Sequence, residues 1–327
     1  MKRSDVHLAV VGAGPYGLET AAWALQRGYR LTLFERQAEV GGDWLRWGNT
    51  WSRLQSHRDG YLFSGPVAVP GEDALPAYPT REQMLAYFNA YATVTGVAEH
   101  ICFECTVTGR SALRDGKVAL SFVDREGIER SAEFTHIFAA PGRVNRRREL
   151  RLPGEASFSG RVARGSGCDL ADAALAGKHV LILGHGSFAL ENARHALEQH
   201  AATVVLLARH EQLVMSRAAG FLVDRHADKV VPAHAVFEAL RRPYELVGTS
   251  GDAALGRLFY APCKTMLPTS DFFFLARACG RLRVTIGELA RVEADAVQTT
   301  AGERITADVL IKCIGFAQDI ACAPRLE

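Results

Sequence analysis

Two glycine-rich turns, each set between a short apolar run and a helical pattern, constrain this chain more than any other feature. The first is Gly12-Ala13-Gly14-Pro15-Tyr16-Gly17, after the run Val6 to Val11; the second is Gly184-His185-Gly186-Ser187-Phe188-Ala189, after Val180 to Leu183. Glycines there let backbone approach a pyrophosphate, and the helix that follows offers unpaired N–H groups and the positive end of its dipole. Such a turn becomes specific through its context: a strand before, a helix after, and a ribose-reading residue about twenty positions on. The pattern predicts an α/β chain with two Rossmann-like dinucleotide-binding domains.

The flanks of the two turns differ. After the first, Leu18, Ala21, Ala22 and Leu25 recur at helical spacing from about Pro15 to Arg27, with Gly28 as C-cap. A strand, Arg30 to Phe34, then ends at an acid, Glu35. After the second, the helix continues through Leu190, Ala193 and Leu197, and the strand Thr203 to Ala208 ends at a base, Arg209. Ala189 takes the third glycine position, where close helix–strand packing tolerates alanine. A carboxylate accepts hydrogen bonds from a plain ribose and repels a 2′-phosphate, whereas a guanidinium does the reverse. Glu211, close to Arg209, is an alternative acidic reader of the NAD type. With Arg209 as reader the chain is expected to hold two different nucleotides, and FAD with NADPH is the most economical pair.

The 327 residues suffice for about two domains. Hydrophobic content of 48% and charged content of 23% are ordinary for a globular chain. A net charge of +2 gives no bulk electrostatic case for nucleic acid. The basic run Arg146-Arg147-Arg148 lacks the interleaved aromatics that single-strand binding uses. No apolar stretch approaches the ~18 residues of a spanning helix, and the first strand begins too early for a signal peptide. A cytoplasmic location is therefore expected. Seven scattered cysteines argue against a disulfide framework, and no His, Cys, Asp and Glu grouping has metal-ligand spacing. Cys102-Phe103-Glu104-Cys105 reads as part of a strand, Ile101 to Val107, rather than as a redox pair at a helix N-terminus. No feature specifies an oligomeric state.

Along the chain, residues 41–80 are irregular and rich in Trp, Tyr, Phe and Pro. Thr80 and Gln83 form a capping-box pattern opening a helix to about Thr95. Strands are predicted near 101–107, 117–124, 130–139, 282–286, 290–293, 296–299 and 304–314, with a helix at Ser270 to Ala278. The expected domains are 1–145 with 300–327 for FAD, and 146–299 for NADPH, the latter carrying a helical insertion at about 210–270 and lying within the former. Eleven residues follow Phe316, so the chain is expected to be incomplete at its end.

Over nearly its whole length the sequence resembles the class B flavin-dependent monooxygenases. Gly41-Gly42-Asp43-Trp44 is similar to that family's GGxW segment along the flavin, and Trp51 to His57 to its Tyr-x-x-Leu-x-x-(His/Asn) stretch near the flavin ring. Ala140-Pro141-Gly142 and Cys313-Ile314-Gly315 resemble its paired Ala-Thr-Gly linkers. The resemblance implies FAD contacts from Gly12, Gly14, Pro15, Tyr16, Gly17, Glu35, Arg36, Gly42, Trp44, Arg53, Leu54, Val107, Ala140 and Gly142. It implies NADPH contacts from Gly184, Gly186, Ser187, Phe188, Ala189 and Arg209, with Gly315 in the second linker. It further implies that NADPH reduces FAD, that O2 then forms a flavin C4a-peroxide, and that one oxygen passes to a small organic substrate in N-, S- or Baeyer–Villiger-type oxygenation. His57 is then the candidate catalytic donor. In the family fingerprint begun by Phe158-Ser159-Gly160, Arg164 replaces the histidine and Cys168 the aromatic residue, and Asp59-Gly60 replaces a Pro-Lys. The departures leave open a non-oxygenating nucleotide-binding flavoprotein, and the two-nucleotide plan itself is shared with a second alternative, a pyridine-nucleotide–disulfide-type NADPH reductase.

Overall fold

In the computed structural model, the residues described are 5–65, 67–142, 146–224, 233–249 and 267–317. The chain divides into two compact units: 1–48, 62–147 and 316–327 form the first, and 49–61 with 148–315 form the second. The expected partition at 300 is corrected, because the strand Val309–Lys312 pairs in parallel with His179–Leu183 and so belongs to the second unit. The segment 49–61, expected in the first domain, also belongs to the second unit.

The first unit opens with β1 (His7–Val11), α1 (Pro15–Gln26) and β2 (Arg30–Phe34). α2 (Asp43–Arg46) and α3 (Arg81–Val94) follow, the latter closed by a capping box between Thr80 and Gln83. Then come β3 (Ile101–Cys102), β4 (Thr106–Ala112), β5 (Val118–Val123), β6 (Glu129–Phe134), β7 (His136–Ala139) and β8 (Arg146–Arg147). β3-β2-β1-β7 make a parallel sheet, and β4-β5-β6 an antiparallel meander. Ala9 and Phe34 of the sheet pack on Leu120 and Phe134 of the meander. Val107 packs against this same cluster.

Two predicted strands of this unit are broken. Residues 101–107 divide at a turn where Glu104 has φ +55°, so the two cysteines flank a turn rather than share a strand. Residues 130–139 divide at Thr135, whose hydroxyl donates to the His7 carbonyl and accepts from the His7 amide; the halves join different sheets.

The second unit repeats the plan. It contains β9 (Arg161–Ala163), β10 (His179–Leu183), α4 (Ser187–Glu198) and β11 (Thr203–Ala208). α5 (Arg217–Asp224), α6 (Ala233–Leu246) and α7 (Asp271–Ala278) lead to β12 (Leu282–Ile286). β13 (Leu289–Val292), β14 (Ala296–Thr299), β15 (Arg304–Thr306) and β16 (Val309–Lys312) complete it. The predicted strand 304–314 is thus two strands. The parallel order is β12-β11-β10-β16-β9, with β13-β14-β15 as a meander. Alternation sorts the apolar residues: Val180, Ile182, Val204, Leu206 and Ile311 face the helical layer, while Leu181, Leu183, Val205, Leu207 and Leu310 join the meander's core. The insertion expected at 210–270 contains α5 and α6; residues 225–232 and 250–266 lie outside the described residues. Among the described residues no helix is long and apolar enough to cross a membrane.

Candidate functional site

Both glycine turns are built for close backbone approach. Gly12 has φ +103°, and a Cβ there would stand 2.4 Å from the Ala140 carbonyl oxygen. Gly184 has φ +123°, and its Cβ would stand 2.3 Å from the Cys313 carbonyl oxygen. Each turn therefore abuts the first residue of one predicted linker, and each linker ends in a left-handed glycine, Gly142 at φ +80° and Gly315 at φ +83°.

Among the helices of eight residues or more with described caps, the two after the turns begin differently from the others. Thr80 caps α3 and Ser270 caps α7 with side-chain oxygens. α1 and α4 begin after Gly14 and Gly186 with no side-chain cap and no acid in the first turn. Their N-terminal donors are left for an external anion, which is the chemistry a pyrophosphate needs. A Cβ on Gly186 would meet nothing within 4 Å, so backbone is exposed to open space there.

In the first unit Glu35 is 5% exposed. Its carboxylate accepts from the Ala13 amide at 2.6 Å and from the Gln37 amide at 2.9 Å, so it ties the strand end to the turn. Gly41 donates to the Ala13 carbonyl at 3.1 Å, and Gly42, at φ +54°, lies against Gly14. Arg81 holds the next residues by donating to the carbonyls of Trp44 and Leu45. Pro15 opens α1 and Tyr16 is exposed. Burial pushes the Asp43 carboxyl up to about 6, against the opposing pull of Arg36 and Arg46. Gly142 lies beside that carboxyl.

Asp43→Asn should therefore stabilise the protein at neutral pH. The folded pKa lies above the unfolded value, so Asp43 favours folding below about pH 4 and opposes it progressively as pH rises through 6. The expected gain is about 2–3 kcal/mol at pH 7.5 and vanishes near pH 4. Thermal unfolding midpoints of both proteins across that range check it.

In the second unit Ala189 is fully buried, as close packing requires. Ser187 and Phe188 open α4; their carbonyls accept from the amides of Gln55 and Asn192. Arg209 follows β11, is exposed, and meets no partner among the described residues. Glu211 is paired with Arg277 of α7 at 2.8 Å.

The segment carrying Arg53, Leu54 and His57 is tied to α4. Glu191, in the second turn of that helix, accepts from the Ser52 hydroxyl at 2.6 Å and the Asn49 amide at 3.1 Å. Asn49 also accepts from the Cys168 amide and donates to the Gly165 carbonyl. Trp51 stacks on His195 at 3.9 Å, and Arg194 donates to the Trp51 carbonyl. Burial raises the Glu191 carboxyl above its ordinary value. Leu54 is buried, and Arg53 is exposed and lines a cleft with Glu191, Arg194 and Asp271. His57 Nδ1 accepts from the Asp59 amide, and the ring meets Phe221 edge-on at 5.2 Å. Arg164 pairs with Glu149, while Asp169 accepts from the Arg164 and Gly165 amides and shapes the loop holding Cys168.

Asn49, Ser52 and Glu191 were not singled out by motif reasoning. The available signal was Glu191 itself, a carboxylate among the apolar spacings of the α4 pattern.

The fold and the two uncapped turns define a flavoprotein class with two dinucleotide domains. Residues 5–224 match the model of the flavin-binding monooxygenase-like (FMO-like) family, and the chain belongs to that family. It is 26% identical over 322 residues to an indole-3-pyruvate monooxygenase, YUCCA1, of Oryza sativa subsp. japonica, covering 95% of this chain and 77% of that protein. Its fold is similar to cyclohexanone monooxygenase in an open crystal structure, with TM-score 0.74, 16% identity, and coverage of 97% of this chain and 74% of that one. It is also similar to a steroid monooxygenase bound to NADP, with TM-score 0.72, 16% identity, and coverage of 97% and 72%. With the family comes the class of enzyme, an FAD- and NADPH-dependent oxidoreductase.

Proposed function

We propose that this chain is an NADPH-dependent flavoprotein monooxygenase that transfers one oxygen atom of O2 to a small nucleophilic or carbonyl substrate by N-, S- or Baeyer–Villiger-type oxygenation. The observation that carries the reading is the pair of uncapped glycine-turn helices, one with a buried carboxylate bonded to its turn and one with Arg209 at the end of the strand that follows. FAD, when bound, supplies hydride acceptance and oxygen activation. The protein supplies binding, orientation and proton handling.

On this reading Gly12, Gly14, Gly17 and the α1 N-terminus hold the FAD pyrophosphate, and Glu35 receives its ribose. Gly42, Trp44, Ala140 and Gly142 line the same nucleotide, with Arg36 and Val107 as further contacts. Gly184, Gly186, Ser187 and the α4 N-terminus hold the NADPH pyrophosphate, and Arg209 the 2′-phosphate. His57 is the candidate donor at the reacting centre. Its Nδ1 lies within reach of both the Asp59 amide and the Asp59 carboxylate. A cytoplasmic setting, where thiols stay reduced, belongs to the same reading.

The disulfide-reductase reading is disfavoured by the thiols. Burial raises the pKa of both Cys102 and Cys105, the reverse of what a reactive thiolate needs.

The test has two arms. Anaerobic NADPH should bleach the flavin absorbance of the purified chain, and labelled O2 should then deliver one labelled atom to an amine, sulfide or ketone product. Both should persist in the Cys102→Ser, Cys105→Ser variant. Bleaching without label in any product would replace the monooxygenase reading with that of a reductase.

A further inference from the structure

The two units solve the ribose end of their turns with different residues. In the first, Glu35 immediately follows β2 and bonds the amide of the turn residue Ala13. In the second, the residue in the place of Glu35 is Arg209, which is exposed. The residue in the place of Ala13 is His185, 3% exposed, with neither ring nitrogen hydrogen-bonded.

What joins strand end to turn in this unit comes from elsewhere in the sequence. Arg277 Nη1 donates to Glu211 Oε1 at 2.8 Å, three residues past the end of β11. Its guanidinium lies 5.2 Å from the Phe273 ring centre. The edge of Phe273 meets the His185 ring at 5.3 Å and 81°. The Arg277 charge also reaches His185, where it opposes protonation. Arg277 and Glu211 keep 19% and 25% of their side-chain surface exposed, so the pair is open to solvent on one side.

We propose that Arg277, clamped by Glu211, is the residue that sets the preference of the second turn for a phosphorylated ribose. The assignment rests on the reading of that turn as an NADPH site. The 2′-phosphate would exchange places with the Glu211 carboxylate on the Arg277 fork, with Arg209 closing from the solvent side. Arg277 thus acts twice. It offers charge-assisted donors to a phosphate, and it occupies the carboxylate that would otherwise accept the 2′-hydroxyl of a plain ribose.

Binding of NADP+ and NAD+ to the FAD-loaded full chain, measured calorimetrically without turnover, tests this. Arg277→Met should weaken NADP+ about 10- to 100-fold and tighten NAD+, because it frees Glu211. Glu211→Gln should leave NADP+ at least as tight as in wild type, and adding it to Arg277→Met should abolish the gain for NAD+. Equal loss of both nucleotides in Arg277→Met at an unchanged thermal midpoint would reduce Arg277 to a packing residue and overturn the assignment. So would an unaltered preference in Arg277→Met together with its loss in Arg209→Ala, an outcome that leaves the NADPH site in place. A wild-type chain that binds the two nucleotides equally would remove the NADPH reading itself and the assignment with it.

Discussion

Gly17→Ala is expected to yield a chain that purifies with little or no flavin. A Cβ at Gly17 would stand 1.8 Å from the Gly12 carbonyl oxygen and 3.5 Å from Val10 Cγ1. That oxygen is backbone, and the opposite side of the Gly12 turn is closed by the Ala140 carbonyl. The turn has no direction in which to yield, so helix α1 must lift from it. Overpacking of this kind costs about 1–3 kcal/mol, a tenfold to hundredfold loss of affinity if all of it falls on the bound geometry. Gly186→Ala is the contrasting variant. Its Cβ would enter open space at φ −87°, so folding and stability should match wild type. NADP+ affinity alone should fall, because the added methyl stands where the pyrophosphate approaches. The ratio of flavin to protein absorbance, with nucleotide titrations, checks both variants. A Gly17→Ala chain with full flavin content would show that the turn is not the FAD cradle.

The second large effect is acid lability centred on His185. Burial, reinforced by Arg277, lowers its pKa to about 4. An unfolded histidine titrates near 6.5, so between about pH 4 and 6.5 the unfolded chain binds a proton that the folded chain refuses. The stability of the neutral ring is fully present above the unfolded value and is lost as pH falls towards 4. Across that window the loss approaches about 3 kcal/mol. His185→Leu should remove this part of the pH dependence, leaving a flatter unfolding midpoint between pH 4.5 and 7. Equal slopes for the two proteins would mean that His185 is protonated in the fold.

The nucleotide turns were legible because their chemistry is local. Glycine, strand, helix and strand-end charge all lie within about thirty residues, and the boundaries at Pro15, Arg30, Phe34, Thr203 and Ala208 coincide with the predicted ones. Apolar periodicity could not show where a run changes sheets. Nothing before Thr135 marks it as the point where the 130–139 pattern divides; its hydroxyl matters only because His7 lies opposite, 128 positions away. The same holds for 49–61. Its place is fixed by Glu191 and Gly165, more than a hundred residues downstream. Arg277 is equally non-local: its guanidinium reaches Glu211 from a helix 66 positions further along the chain.

The strand orders set a timetable for synthesis. The first parallel sheet, β3-β2-β1-β7, holds all its strands once Ala139 has emerged. The second cannot place β16 beside β10 until Lys312, 173 residues later by subtraction. At typical elongation rates of about 5–20 residues per second that interval is roughly 10–35 s. During it the β1–α1 turn already has the strand that supplies Ala140, while the segment 49–61 awaits partners not yet completed. The sheet around the first turn can therefore assemble while the second sheet still lacks β16.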